Sequence, residues 1–357
     1  MSEQIIYLTN RTASITDDDC GRKWWLSQRV GGRGLVPKEE AFALMVGRET
    51  HEDLSAIGEM DDISPEAIQR AIDDILLLID DAAKTHIKKM EMLYRRLGWL
   101  AAFALYMEPS IRAIYDTVSI EKELVLDRTP LWVAVTPDRI LRHREKGYLV
   151  YREYKSTISA SQKWLDSWKM AIQIHSSMKA VEEEVGLPVA FTQVMGLMKG
   201  YEKEGKIRHP YVYGYRNRDN GDWTHDYDRA RGPSWELTPV WDYPGGVVQW
   251  VQLCGEDIAF SQFPHTEPIF LNEEILNEWV ERRARREEEI RRVEESAHTD
   301  ARTRAVYFPR KTHKCRPPFG DSCPYLGLCW NATWEGREVE HPDFSQRIPH
   351  HDLELIV

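Results

Sequence analysis

The residues best suited to chemistry in this sequence are two acids and a lysine. Asp138 follows Pro137, and Glu153 stands two residues before Lys155. Residues two apart on a β-strand point to the same face, so the side chains of Glu153 and Lys155 are predicted to lie together. Carboxylates bind Mg²⁺ or Mn²⁺, the bound ion lowers the pKa of water, and a lysine can steady that water or the phosphate. The spacing therefore suits metal-dependent phosphodiester cleavage, but ordinary surface charge gives the same short pattern, so the spacing alone does not establish it.

A histidine and a glutamine extend this set. His51 lies in the pattern G-x-x-x-H-x-x-L, which runs from Gly47 to Leu54 on a predicted helix. An isolated helical histidine is usually structural, but an imidazole can also serve as a third metal ligand. Gln173 lies on the predicted helix that follows the Glu-x-Lys strand. By itself it would be interpreted as a polar surface residue.

The order of these motifs resembles a known nuclease family. G-x-x-x-H, then Pro-Asp, then Glu-x-Lys, then Gln on the next helix is similar to the RecB-like branch of the PD-(D/E)XK nucleases, and to Cas4 nucleases in particular. The resemblance implies a restriction-endonuclease-like core with a mixed β-sheet flanked by helices. It also implies His51, Asp138 and Glu153 as Mg²⁺ or Mn²⁺ ligands, with Lys155 and Gln173 completing the catalytic set.

The chain departs from this family on the glutamine helix. The family often carries a tyrosine three or four residues beyond the glutamine, where this sequence has Ser176 and Ser177. This departure concerns the DNA contact made by the helix and not the metal site.

Four of the five cysteines could hold a metal. Cys315, Cys323 and Cys329 crowd near the C-terminus, and Cys20 lies near the N-terminus. Crowded cysteines in an intracellular protein favour metal binding over disulfides. The segments around Cys20 and from Cys323 to Cys329 resemble the cysteine segments of Cas4, AddB and Dna2 nucleases. The resemblance implies a [4Fe-4S] cluster with these four cysteines as its ligands, so that it staples the C-terminal segment to the N-terminal one.

Other interpretations of the cysteines remain open. The family commonly has two residues between the first pair of the C-terminal trio, whereas seven separate Cys315 from Cys323. A zinc site with the same ligands, or with His313 in place of a cysteine, is the competing hypothesis. Cys254 follows the apolar run VVQWVQL and is predicted to be a buried thiol.

The charge distribution bears on nucleic-acid binding. A net charge of -11 argues against a protein that coats nucleic acid nonspecifically, because phosphate contacts need lysine and arginine. The segment from Arg302 to Arg316 nevertheless contains no acid. It is either a solvated face or part of a DNA path, and the residues predicted to contact DNA are Lys23, Arg310, Lys311 and Lys314.

Hydrophobic periodicity predicts an α/β protein. Helices are predicted at 14–30 (with Cys20 in the first turn), 38–57, 65–83, onward to about residue 115, and at 162–185, 246–254 and 272–296. Strands are predicted at 118–126, 131–141, 148–154, 190–198 and 209–216. Residues 217–246 and the tail from Arg302 are predicted to have little regular structure.

These elements suggest four segments. Residues 1–117 form a helical portion with Cys20 and the histidine motif, 118–216 the nuclease core, 217–300 an irregular segment and a long charged helix, and 301–357 the cysteine segment. The start lacks the features of a signal peptide, and no apolar run reaches the roughly 18 residues of a membrane span, so a soluble cytoplasmic protein is expected.

The resemblance implies a DNA nuclease, most naturally an exonuclease on single strands or DNA ends, that uses two metal ions. It leaves open a helicase or integrase-like protein partner. Two alternatives are a DNA-end-binding protein with little catalysis and a zinc-stapled structural subunit of a repair or adaptation complex.

Overall fold

A computed structural model describes residues 6–9, 20–38, 42–78, 86–157, 160–199, 209–315 and 322–348. The N-terminal third is mainly helical, as predicted. Its helices are α1 (Gly21–Gln28), α2 (Phe42–Glu59), α3 (Pro65–Leu77), α4 (Ile87–Ala102) and α5 (Glu108–Ile114). Ser64 caps α3 by accepting a hydrogen bond from the Ala67 backbone amide, with Pro65 at the first helical position.

The strands form a mixed sheet and smaller sheets. They are β1 (Ile6–Thr9), β2 (Leu35–Pro37), β3 (Tyr115–Ile120), β4 (Leu124–Arg128), β5 (Leu131–Val135), β6 (Arg139–His143), β7 (Leu149–Thr157), β8 (Val189–Met198), β9 (Tyr213–Asn217), β10 (Trp223–Thr224), β11 (Trp235–Pro239) and β12 (Phe344–Gln346). The mixed sheet has the order β3-β6-β7-β8, with β7 and β8 parallel and the other pairs antiparallel. The predicted α/β architecture with a mixed sheet is confirmed.

The remaining helices surround or follow this sheet. They are α6 (Gln162–Ser167), α7 (Ile172–Val185), α8 (Gly246–Cys254), α9 (Glu256–Gln262), α10 (Glu273–Thr299), α11 (Ala301–Tyr307) and α12 (Leu326–Trp330). Among the described residues, none of the helices combines the length and the hydrophobicity needed to cross a membrane.

Two predicted strands are each divided between two sheets. The predicted strand 131–141 ends at Val135 and resumes at Arg139, and the two pieces join different sheets. Pro137 has no amide hydrogen for a ladder bond, which explains the break. The predicted strand 118–126 divides at Glu121, whose φ of 44° turns the chain from β3 to β4.

Four further predictions need correction. The predicted helix 162–185 breaks at Ala171, whose ψ of 115° is extended. Cys20 is the extended residue immediately before α1 and not part of its first turn, while residues 14–19 lie outside the described residues. Residues 217–246 include β10 and β11, which pair with β9. The tail contains α11, α12 and β12, so it has more regular structure than predicted.

The mixed sheet lies between two hydrophobic layers. Leu141 and Val150 face a layer built by α2 to α5 and α8, while Leu149 and Tyr151 face a layer built by α7 and α10. Alternate residues of β7 therefore serve different layers.

A separate hydrophobic cluster joins the two ends of the chain. The rings of Trp25 and Phe308 stack with centroids 4.5 Å apart, and Trp24 stacks on the same phenylalanine. The Arg22 guanidinium donates a 3.2 Å hydrogen bond to the Phe308 carbonyl. Helix α1 thus packs directly against the segment that leads to the C-terminal cysteines.

Candidate functional site

The sheet brings the two predicted acids together. Glu153 and Lys155 continue the β7 face that begins with the buried Leu149 and Tyr151. Asp138 precedes β6, which pairs with β7 in the register that sets Arg139 opposite Arg152. The Tyr154 backbone amide donates a 2.6 Å hydrogen bond to Asp138 Oδ2. This bond fixes the Asp138 carboxylate beside the β7 strand.

Helix α2 adds the predicted histidine to this site. His51 Nδ1 lies 3.6 Å from Asp138 Oδ1, within range of an ion pair when the imidazole is protonated. Two acids on the same helix as His51 bind Arg96 of α4. Arg96 donates to Glu49 and pairs with Asp53 through bonds of 2.5 and 2.8 Å. These ion pairs hold α2 in place, and the histidine with it.

The Glu153 carboxylate is buried and only half satisfied by the protein. Its residue is 1% exposed, and Oε1 accepts a 2.6 Å hydrogen bond from Gln173 Nε2 and pairs with Lys155 Nζ. Oε2 is buried and has no hydrogen-bond partner among the described residues. A buried ionised oxygen without a partner is costly, so this atom is a natural acceptor for a cation.

The electrostatics of the site favour holding positive charge. Burial, followed by the charge of Asp138, raises the pKa of Glu153 to about 7. Burial alone would also raise the pKa of Asp138, but the His51 hydrogen bond and the positive charges of Lys155 and His51 lower it below its usual range. Burial would lower the pKa of His51, yet the hydrogen bond and charge of Asp138 outweigh it and raise that pKa.

The metal-free protein is therefore expected to lose stability as pH rises from about 5 to 8. The pKa of Glu153 is raised from 4.5 to about 7, so this carboxyl binds its proton more tightly in the folded state than in the unfolded state. Its contribution to the free energy of unfolding therefore declines as the pH rises from about 4.5 to about 7. The raised pKa of His51 likewise lowers the stability of the folded protein as the pH rises. The lowered pKa of Asp138 stabilises the folded protein at higher pH, and this stabilisation is lost only when the pH falls below the usual pKa of an aspartate. Thermal melting in chelator across this pH range would measure the slope.

The Glu153→Gln variant should flatten that slope, because its amide cannot ionise. Glu145→Gln, an exposed substitution in the β6–β7 turn, should leave it as in the wild type. Equal slopes in wild type and Glu153→Gln would show that Glu153 does not titrate in this interval.

Sequence reasoning missed an acid at the edge of the site. Glu121, His51 and Asp138 each offer a ligand atom within 4.8 Å of those of the other two. Glu121 follows β3, and the Ser55 hydroxyl lies 3.0 Å from its Oε1. No motif marks this residue, because its proximity to His51 depends on the turn after β3 and on the packing of α2.

The four predicted cluster cysteines also lie near one another, although they come from opposite ends of the chain. The Cys323 amide donates a 2.9 Å hydrogen bond to the Cys315 carbonyl, and Cys20 and Cys315 both act electrostatically on Cys323. Burial, opposed by a hydrogen bond from Arg310, raises the pKa of the Cys329 thiol, and Cys20 raises it further. All four cysteines are free thiols.

Three of the sulfur atoms have hydrogen-bond donors beside them. Arg310 Nε lies 3.3 Å from Cys329 Sγ, Trp330 Nε1 lies 3.4 Å from Cys315 Sγ, and the Lys311 amide lies 3.5 Å from Cys20 Sγ. Although all four cysteines are among the described residues, no three of their sulfurs lie within 4.8 Å of one another. A zinc ion with bonds of about 2.3 Å would hold its sulfurs about 3.8 Å apart.

Three of the four residues predicted to contact DNA lie beside the cysteine group. Arg310 is exposed and lies 5.2 Å from the centre of the Trp330 ring. Lys23 is near enough to Cys323 to lower the pKa of that thiol, although burial raises it overall. Lys311 is half-buried, and the side chain of Lys314 lies outside the described residues.

Other residues near the cysteines have structural roles. Arg304 belongs to the same basic run but is buried, and it donates to the carbonyls of Ala297 and His298 and to Glu335. It therefore holds helices together.

His313 is exposed. Cys254 is buried as predicted, and burial raises the pKa of its thiol.

Comparisons of the sequence with models of protein families and with curated proteins find no match.

Proposed function

We propose that this protein is a divalent-metal-dependent deoxyribonuclease with the restriction-endonuclease-like core of the RecB-like PD-(D/E)XK branch. It hydrolyses phosphodiester bonds with two metal ions bound, acting as an exonuclease on single strands or DNA ends. A [4Fe-4S] cluster joins the N-terminal and C-terminal segments. The protein works in the cytoplasm, where a reducing environment keeps its cysteines as thiols.

The convergence of His51, Asp138, Glu153 and Lys155 carries this proposal. These side chains come from α2, the start of β6 and the middle of β7, and they meet around one pair of carboxylates. The unpartnered Glu153 Oε2 is what a cation would satisfy. Carboxylates and an imidazole form a ligand set that suits Mn²⁺, and the carboxylates suit Mg²⁺. The residues present therefore fit the metal that the reaction requires.

Each side chain has a distinct task in this chemistry. A bound divalent cation would supply an activated water and offset the charge that develops on the phosphate. Lys155, whose side chain is 26% exposed, can donate from beside Glu153 to a phosphate oxygen or to the attacking water. Gln173 holds Glu153 Oε1, so that Oε2 would remain available to bind the cation. Asp138 is oriented by the Tyr154 amide and faces His51 with its other oxygen.

The cysteine arrangement suits an iron-sulfur cluster better than zinc. Four cysteines gathered from both ends of the chain are the ligand set that such a cluster ordinarily requires. A structural zinc site usually takes its ligands as two close pairs, and Cys20 has no cysteine near it in the sequence. The donors from Arg310, Trp330 and the Lys311 amide suit thiolates that carry negative charge. Cys20, Cys315, Cys323 and Cys329 would be the ligands.

The position of the basic residues supports DNA as the substrate. Lys23, Arg310 and Lys311 lie around the cysteine group, where a cluster would fix them in one patch. Such a patch gives the phosphate backbone a sequence-independent contact even though the whole chain is acidic.

The proposal predicts that the purified protein shortens end-labelled single-stranded DNA when Mg²⁺ or Mn²⁺ is present. The cations are required because the acids cannot activate water or offset phosphate charge by themselves. Denaturing gels of single-stranded DNA, duplex DNA and RNA of one sequence would identify the substrate class. The products would show whether cleavage starts at an end.

Two controls make this assay decisive. Chelator should stop the reaction, and Glu153→Gln protein purified in parallel reveals any contaminating nuclease. The proposed function would be contradicted if protein that contains its iron-sulfur cluster cleaves neither single-stranded nor duplex DNA with Mg²⁺ or with Mn²⁺.

A further inference from the structure

Glu121 lies at the rim of the proposed active site and has no counterpart in the motifs that define it. We propose that Glu121 is a metal ligand, and that His51, Glu121 and Asp138 form one cation site beside the Asp138–Glu153 pair. This inference rests on the proposed nuclease function and deepens it, because it assigns a second set of ligands to the same site.

The three ligand atoms are spaced closely enough for a single ion. They all lie within 4.8 Å of one another. Ligands on opposite sides of Mg²⁺, at bonds of about 2.1 Å, are separated by about 4.2 Å. Glu121 is exposed, so a small rotation of its side chain completes the geometry without disturbing the core.

A second observation concerns the neighbouring carboxylate of Glu153. Glu153 is 1% exposed, and its Oε2 has no hydrogen-bond partner among the described residues. Asp138 interacts electrostatically with this carboxylate, and its own Oδ1 lies 3.6 Å from His51 Nδ1. A carboxylate close to both groups can serve two cations, as phosphodiester hydrolysis with two metal ions requires.

The backbone and one hydroxyl hold Glu121 at this position. Its φ of 44° lies in the left-handed region, which residues other than glycine seldom adopt. The Glu121 amide donates a 3.1 Å hydrogen bond to the Asp138 carbonyl, which couples the turn to the acid that both ligand sets share. Ser55, one helical turn after His51, places its hydroxyl 3.0 Å from Glu121 Oε1. Helix α2 and the turn after β3 thus position His51, Glu121 and Asp138 relative to one another.

The test is Mn²⁺ binding and Mn²⁺-dependent DNA cleavage by the full chain with its cysteine site loaded. Electron paramagnetic resonance counts bound Mn²⁺, and wild type is expected to bind two ions. Glu121→Gln, which keeps side-chain size, should bind one ion tightly and need at least about tenfold more Mn²⁺ for half-maximal cleavage. Glu52→Gln removes the same charge from an exposed site next to His51 and should match wild type.

The outcomes separate the two proposals. An unchanged Mn²⁺ count and unchanged metal requirement in Glu121→Gln, with wild type active, would overturn the role of Glu121 and leave the nuclease intact. A wild type that binds no Mn²⁺ and cleaves no DNA would overturn both. The metal-free variants should melt at the same temperature as the metal-free wild type. If Glu121 were purely structural, Glu121→Gln would instead lower the melting temperature without a selective change in the Mn²⁺ requirement.

Discussion

Replacing Asp138 by asparagine or Glu153 by glutamine is expected to reduce DNA cleavage on the order of a thousandfold or more. Each change removes a metal-binding charge and keeps the size of the side chain. The asparagine oxygen can still accept the Tyr154 amide, and the glutamine oxygen can still accept Gln173, so both variants should fold. Single-turnover cleavage measures the loss, and fluorescence anisotropy with labelled DNA should show nearly unchanged binding.

The control for these variants is Glu145→Gln, which removes one acid from an exposed turn of the same sheet. It should cleave at the wild-type rate. If Asp138→Asn and Glu153→Gln both keep wild-type rates at every Mn²⁺ concentration, the carboxylates are not metal ligands. A parallel loss of cleavage and DNA binding would instead indicate that they shape the DNA surface.

If the proposed iron-sulfur cluster is present, replacing Cys20 by alanine is expected to remove it and lower the melting temperature on the order of 10 °C. Cluster binding would be coupled to folding, and Cys20 is the one proposed ligand in the N-terminal segment. Its loss would leave Trp24, Trp25 and Arg22 to hold α1 against the Phe308 segment without the cluster. Iron and sulfide analysis of anaerobically purified protein measures the cluster, and calorimetry measures the stability.

Cys254→Ala is the matched control, because Cys254 is buried in a different hydrophobic cluster. It should keep the visible absorbance of the cluster and lose only a modest amount of packing energy. Cys315→Ala, Cys323→Ala and Cys329→Ala should behave like Cys20→Ala. Full iron and sulfide content with unchanged melting in Cys20→Ala would exclude Cys20 as a ligand, and a zinc content of one per chain would replace the cluster by zinc.

The sequence predicts which candidate site residues lie together more completely than it predicts the strands. Glu153 and Lys155 follow from the two-residue period of β7, and their face follows from the buried Leu149 and Tyr151 that precede them. A continuous apolar pattern does not reveal that one segment serves two sheets. Pro137 interrupts the hydrogen-bond ladder of this segment. Only the structure shows that β5 and β6, on either side of the proline, then pair with strands of different sheets.

Residues whose roles depend on tertiary packing are the hardest to predict. Glu121 approaches His51 only because its turn reverses the chain and α2 lies over it. The buried Arg304 looks like a DNA-binding residue in a basic run, yet it bonds to helix carbonyls. Only the family resemblance links Cys20 to the C-terminal cysteines, since no local pattern connects residues at opposite ends of a chain.

The carboxylates and Lys155 are proposed to form one site for phosphodiester hydrolysis. The most direct test of this proposal is single-turnover cleavage of end-labelled single-stranded DNA by wild type and Lys155→Ala, across a full Mn²⁺ titration. Lys155 is not proposed as a metal ligand, so the variant should still bind Mn²⁺, while its rate at saturating Mn²⁺ falls about 100-fold to 1,000-fold. Equal rates for the two proteins at saturating Mn²⁺, or no cleavage by wild type, would contradict the account.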